Sequence, residues 1–146
     1  MDELTKIACA RIQLKTAIRL YSERNYVASI TLAGAAHEVF GQIADGKMGV
    51  NTFKAVKSIY DILFQLLNMN HVSLKSVIHD LNSGYNEMKH NNSKIDYPVL
   101  FNFEYEAHEL ILGALMNYEL IIWGTAPDKL TAKFSDRFES GHPEIK

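Results

Sequence analysis

Proline is missing from the first 97 residues; the three prolines are Pro98, Pro127 and Pro143. So long a stretch without proline excludes a many-turned β fold and favours long helices. Cysteine is almost absent as well. Cys9 stands alone, which excludes an internal disulfide and a cysteine-based zinc knuckle, and its expected place is a small buried position. There is no surplus of positive charge. Fifteen Lys and Arg against seventeen Asp and Glu leave a formal net charge of −2. A broadly basic nucleic-acid surface is thereby excluded, and any such contact has to be local. No apolar run is long enough to span a bilayer: the most apolar stretch, 110–116, is short and Glu119 follows it. The opening Met-Asp-Glu-Leu-Thr-Lys lacks the basic start and apolar run of a signal peptide. The expectation is a soluble cytoplasmic protein without membrane contact. A Gly-rich phosphate loop, a nucleophile elbow and a paired zinc motif are all missing, so neither a cofactor nor a metal is expected.

What is present is helical periodicity. The chain has 146 residues, 47% of them hydrophobic, which suits one domain over 1–146 with a single core. Leu4, Ile7, Leu14, Ile18 and Tyr21 recur at helical spacing over about 2–22, with Arg11 in the same stripe. A polar break, 22–25, precedes a second helix over about 26–43. Its Ala28, Ala33, Gly34, Ala35 and Ala36 let a neighbour approach closely, as expected of a central buried helix. Residues 44–49 read as a loop. Asn51 or Thr52 can cap a third helix to about 67, with Phe53, Val56, Ile59, Tyr60, Leu63, Phe64 and Leu67 as its apolar face. Ser73 can cap a fourth, about 73–91, with Gly84 as its weak point. A longer loop runs through Pro98. A fifth helix covers about 103–122, a short sixth about 128–138, and 139–146 form a polar tail. Short connections between long helices imply an all-α, up-and-down bundle of five main helices plus a short C-terminal one.

The chemistry-bearing stretch is the end of the fourth helix, Tyr85-Asn86-Glu87-Met88-Lys89-His90. A histidine exchanges protons near neutral pH, so His90 is the acid–base candidate. Asn86 lies four residues earlier on the same face, and Lys89 adds a cation. The plain alternative is a solvated helix end whose basic residues suit the C-terminal dipole. Glu87 and His90 also have the Glu-x-x-His spacing of dimetal bundles. Glu104, His108 and Glu38 do not complete such a set. Of His37 and Glu38, set among small residues, one is expected to be buried or at an interface, in a structural hydrogen bond.

These features resemble the HEPN superfamily of small helical domains, in the bacterial branch whose fourth helix ends Arg-Asn-x-x-Lys-His. Gln13-Leu14 with 17–21 resembles that branch's first helix. Residues 30–36 with Glu38 resemble its second, and Ala107, Ala114, Asn117 and Tyr118 its fifth. Asn86, Lys89 and His90 match the motif itself. The resemblance implies a homodimer and, in many members, a metal-independent endoribonuclease of toxin–antitoxin or defence systems. A nucleotidyltransferase-like antitoxin is then a candidate partner. Members build an Arg-x4–6-His site in a cleft at the dimer interface, where histidine moves a proton and arginine holds the phosphate. Here the arginine position holds Tyr85, with Gly84 or Ser83 at the longer spacings. Tyrosine offers neither a fixed charge nor a bidentate fork. Lys89 and Arg11 are the substitute cations. The expectation is therefore a non-catalytic module that binds RNA, a nucleotide or a protein. The alternative is a ribonuclease using His90, Asn86 and Tyr85, with Lys89 and Arg11 on the substrate.

Overall fold

The computed structural model describes residues 4–67, 70, 73–89, 98 and 100–122. Among them the fold is all-α, a bundle of six helices without a strand: α1 (Lys6–Ser22), α2 (Tyr26–Met48), α3 (Thr52–Leu66), α4 (Leu74–Leu81), α5 (Ser83–Lys89) and α6 (Phe103–Ile122). The expected helix over 128–138 and the tail lie outside the described residues.

Three helices make the core. Ala10, Leu14, Ala17 and Ile18 of α1 pack on Ile30, Ala33, Ala36 and Phe40 of α2 and on Ala107, Leu110, Ile111 and Ala114 of α6. The small residues that mark α2 as central do bring its neighbours close. Ser29 is buried and donates its hydroxyl to the Ala17 carbonyl of α1, 2.9 Å away. α1 and α2 are antiparallel, as their short connection requires. That turn is a Schellman closure, with Asn25 N–H bonded to Leu20 and Arg24 N–H to Tyr21. It puts Arg24 at φ 61°, a left-handed position where glycine is usual. α6 is reached through the longer segment 90–102 and runs parallel to α2. Glu104 accepts the Tyr26 hydroxyl near both helix starts, and Asn117 reaches Gly41 further along.

Two boundaries and the burial of one residue differ from the sequence reading. α2 does not stop near residue 43; Ala44 is fully buried, and the helix runs on to Met48. Gly49 ends it at φ 69°, its N–H bonded to Asp45. The fourth helix is two helices. Asn82 (φ −113°, ψ 14°) closes α4 and Ser83 opens α5, consistent with the preference of Asn and Ser for helix ends. Cys9 is exposed rather than buried. The buried stripe of α1 runs through Ala10, one residue on, and Cys9 falls outside it.

Two glycines fix where α5 sits. A Cβ on Gly34 would lie 2.5 Å from the Tyr85 ring, and one on Gly84 would lie 2.6 Å from the Glu106 carboxylate. The absence of both side chains lets α5 lie against α2 and α6. Gly84 donates its N–H to Glu106, and burial raises the Glu106 pKa while that bond lowers it. Burial is the larger of the two effects, and the pKa is raised on balance.

Gly46 provides the contrast: it is helical, and a Cβ there would meet nothing within 4 Å. Gly46→Ala is expected to stabilise the fold by about 1 kcal/mol. Gly34→Ala is expected to destabilise it by about 1–3 kcal/mol through overpacking. Urea unfolding of both variants checks this; shifts of the same sign would contradict it.

Candidate functional site

α2, the start of α3 and the α4–α5 pair enclose a cleft of about 400 Å³. Its walls carry Gly34, Glu38, Gly41 and Gln42 from α2, Asn51 and Phe53 from the start of α3, and Ile78, Asn82, Tyr85, Asn86 and Lys89 from α4–α5. Three of the expected site residues, Tyr85, Asn86 and Lys89, are therefore brought together. Their roles differ from one another. Tyr85 is buried, 9% exposed, and belongs to the core cluster with its ring on Gly34. Lys89 is exposed at the rim. Its ammonium lies 5.2 Å from the Tyr85 ring centroid and 3.9 Å from a Glu38 oxygen. Asn86 is half-buried, as is Asn82 one helical turn earlier. Neither carboxamide makes a side-chain hydrogen bond within the described residues. Each presents a donor pair and an acceptor to the cleft.

Arg11 does not join this group. It lies over the Tyr118 ring, 5.6 Å from the centroid, and lines a separate concavity with Ala8, Ile12 and Lys15. The α1 stripe puts it on another surface of the bundle. His90 lies outside the described residues. Among those residues, no three His, Cys, Asp or Glu side chains converge as a metal ion would need. Glu104 instead accepts from Tyr26, and His108 Nδ1 lies 3.0 Å from Glu109.

The far wall rests on a buried polar knot. His37 Nε2 and Thr52 Oγ1 lie 2.8 Å apart. Thr52 donates its N–H to Asn117 Oδ1 at 2.9 Å, and Asn117 Nδ2 reaches back to the His37 carbonyl at 3.5 Å. Asn51 caps α3 by accepting from Lys54 N–H, and its amide donates to the Gly41 carbonyl. His37 is the buried member of the His37–Glu38 pair, and its partner is the expected structural one. Gly113 makes room for it, since a Cβ there would lie 2.8 Å from Nε2. The Phe53 ring packs on the imidazole at 4.7 Å. Sequence reasoning named Asn117 only as part of the fifth helix's resemblance, with no structural role, and missed Glu106 altogether. Both lie on α6, far along the chain from what they bind, and local spacing carries no mark of either pairing.

No family model matches this chain, and neither the curated proteins nor the solved structures include a match to it. No described helix is long and apolar enough to cross a membrane.

Burial lowers the His37 pKa from 6.5 to about 4. Between those values the unfolded chain takes up a proton that the folded chain refuses. Stability is then full above pH 6.5, falls as pH drops through the window and levels off near pH 4. The loss is on the order of 3 kcal/mol. Urea unfolding at several pH values should show this slope, with a smaller slope in His37→Gln. Identical slopes in the two proteins would contradict it.

Proposed function

We propose that this chain is a HEPN-like, non-catalytic binding module whose cleft holds a phosphorylated nucleotide, either free or within RNA. The observation that carries the reading is the pairing of two unpartnered carboxamides, Asn82 and Asn86, with a rim ammonium, Lys89, in one cleft. Carboxamides match the donor–acceptor edge of a nucleobase. Phe53 gives the wall an aromatic surface on which a base can rest. Lys89 supplies one cation for phosphate, enough to bind and orient it.

The same cleft argues against cleavage. Stabilising a pentacoordinate phosphate calls for donors and charge aimed at it. At the motif's arginine position stands Tyr85, whose ring is buried on Gly34 and whose side chain carries no fixed charge. Arg11 lines a different concavity. A net charge of −2 leaves no broad basic field to compensate. The toxin–antitoxin or defence setting that the HEPN resemblance implies accommodates such a module as a partner-bound regulator.

The test titrates adenosine monophosphate and a short single-stranded RNA, in separate arms, into the full chain. Binding should be saturable in at least one arm and at least tenfold weaker in Asn86→Ala and in Lys89→Ala. Arg11→Ala should bind as the parent does. No binding in either arm overturns the reading. Chelator-resistant RNA cleavage that is lost in His90→Ala replaces it with the ribonuclease alternative.

A further inference from the structure

His37 turns into the core, and Glu38 beside it turns into the cleft. The α2 wall of the cleft is Gly34, Glu38, Gly41 and Gln42, at steps of four, three and one, which make a single helix face. Glu38 stands in the middle of that wall, about 6 Å along the axis from Gly34 on one side and from Gln42 on the other. Among the described residues of the cleft it is the one carboxylate, and Lys89 is the one ammonium. The contact given for the carboxylate is that ammonium, 3.9 Å away, with both side chains about half exposed. A pair so long and so open to water fixes neither side chain. The two oxygens of Glu38 accept hydrogen bonds and cannot donate them, so the cleft holds an acceptor ready for a ligand's donor.

We propose that Glu38 reads the sugar: its carboxylate accepts the 2′-hydroxyl of the bound nucleotide, so the cleft takes ribonucleotides in preference to deoxyribonucleotides. This rests on the nucleotide reading of the cleft and adds the sugar to it. Position favours the sugar. Lys89 is the cation for phosphate, and the group next to the phosphate of a 5′-nucleotide is the ribose, with the base beyond it. A carboxylate 3.9 Å from that ammonium is within reach of the ribose. Chemistry favours it too. Phosphate oxygens are acceptors and carry the same sign of charge, so Glu38 does not bind them. The ribose edge presents hydroxyl donors, and a carboxylate is the group that takes the ribose 2′-hydroxyl in dinucleotide sites. That hydroxyl is what separates ribonucleotides from deoxyribonucleotides at a binding site. Amino groups of the bases are donors as well, but they lie on the far side of the sugar from the phosphate. Size agrees: about 400 Å³ is within the range of small-ligand pockets, roughly 300–1,000 Å³, so phosphate, sugar and base share one set of walls.

Titration calorimetry of the full chain with adenosine monophosphate and with its 2′-deoxy form tests the proposal; a short single-stranded RNA and the DNA of the same sequence make a second pair. The parent should bind the ribo member of a pair about tenfold more tightly, the size of one charge-assisted hydrogen bond at an open site. Glu38→Ala should bind both members at the deoxy level. Glu38→Gln, which keeps the shape and one acceptor, should lie between. Lys89→Ala should weaken both members and keep their ratio, which separates the sugar contact from the phosphate contact. Both side chains are exposed, so the helical circular dichroism should be unchanged in every variant. Equal affinity for the two members in the parent overturns the proposal and leaves the nucleotide reading standing. A ribo preference that survives in Glu38→Ala overturns it as well, because the sugar is then read elsewhere. So does tighter binding of both members by Glu38→Ala, which would make the carboxylate an opponent of the phosphate and nothing more. Failure of all four ligands to bind overturns this proposal and the nucleotide reading together.

Discussion

Thr52 is held at the start of α3 by two buried partners. One is the imidazole of His37 on α2; the other is the carboxamide of Asn117 on α6. Asn117 closes the ring on the His37 carbonyl. Each of these groups left unpaired in the core would cost about 1–3 kcal/mol, so the ring is satisfied as a unit or not at all. Much else follows from it. It fixes where α3 leaves the three-helix core, which sets one wall of the cleft. It also sets the direction in which α3 projects.

The opposite wall has a different origin. α5 is only seven residues long and would be marginal alone. It is held by the Tyr85 ring on Gly34 and by Glu106 at its first turn. Small residues thus act twice. Along α2 they let α1 and α6 close on the core. At Gly34 and Gly84 they let a short helix come near enough to present Asn86 and Lys89. Tyr85 stands on this helix as a residue that packs.

The sequence was most legible where structure is local. The core stripes of α1, α2 and α6, the caps at Asn51 and Ser73 and the burial of one of His37 and Glu38 can all be read from spacing and residue type. The break at Asn82 could not: a continuous apolar period runs across it from Leu74 to Met88, and α5 beyond it packs on both α2 and α6. Nor could the ring, since Thr52 and His37 meet Asn117 across 65 and 80 residues. Periodicity marked the apolar face of α3 without indicating whether anything inside the chain covers it. Tyr85, Asn86 and Lys89 were legible as neighbours on one helix end. That Arg11 belongs to another surface depends on how α1 is rotated against α6, which no local pattern encodes.

If the ring is what holds α3 to the core, opening it should free α3 and spare the rest. Native-state hydrogen exchange of the Asn117→Ala variant, resolved residue by residue, tests this directly. The Thr52 amide and the first turn of α3 should lose at least tenfold in protection, while the core amides of α1, α2 and α6 keep most of theirs. Unchanged protection at Thr52, or an equal loss across all four helices, would contradict the account.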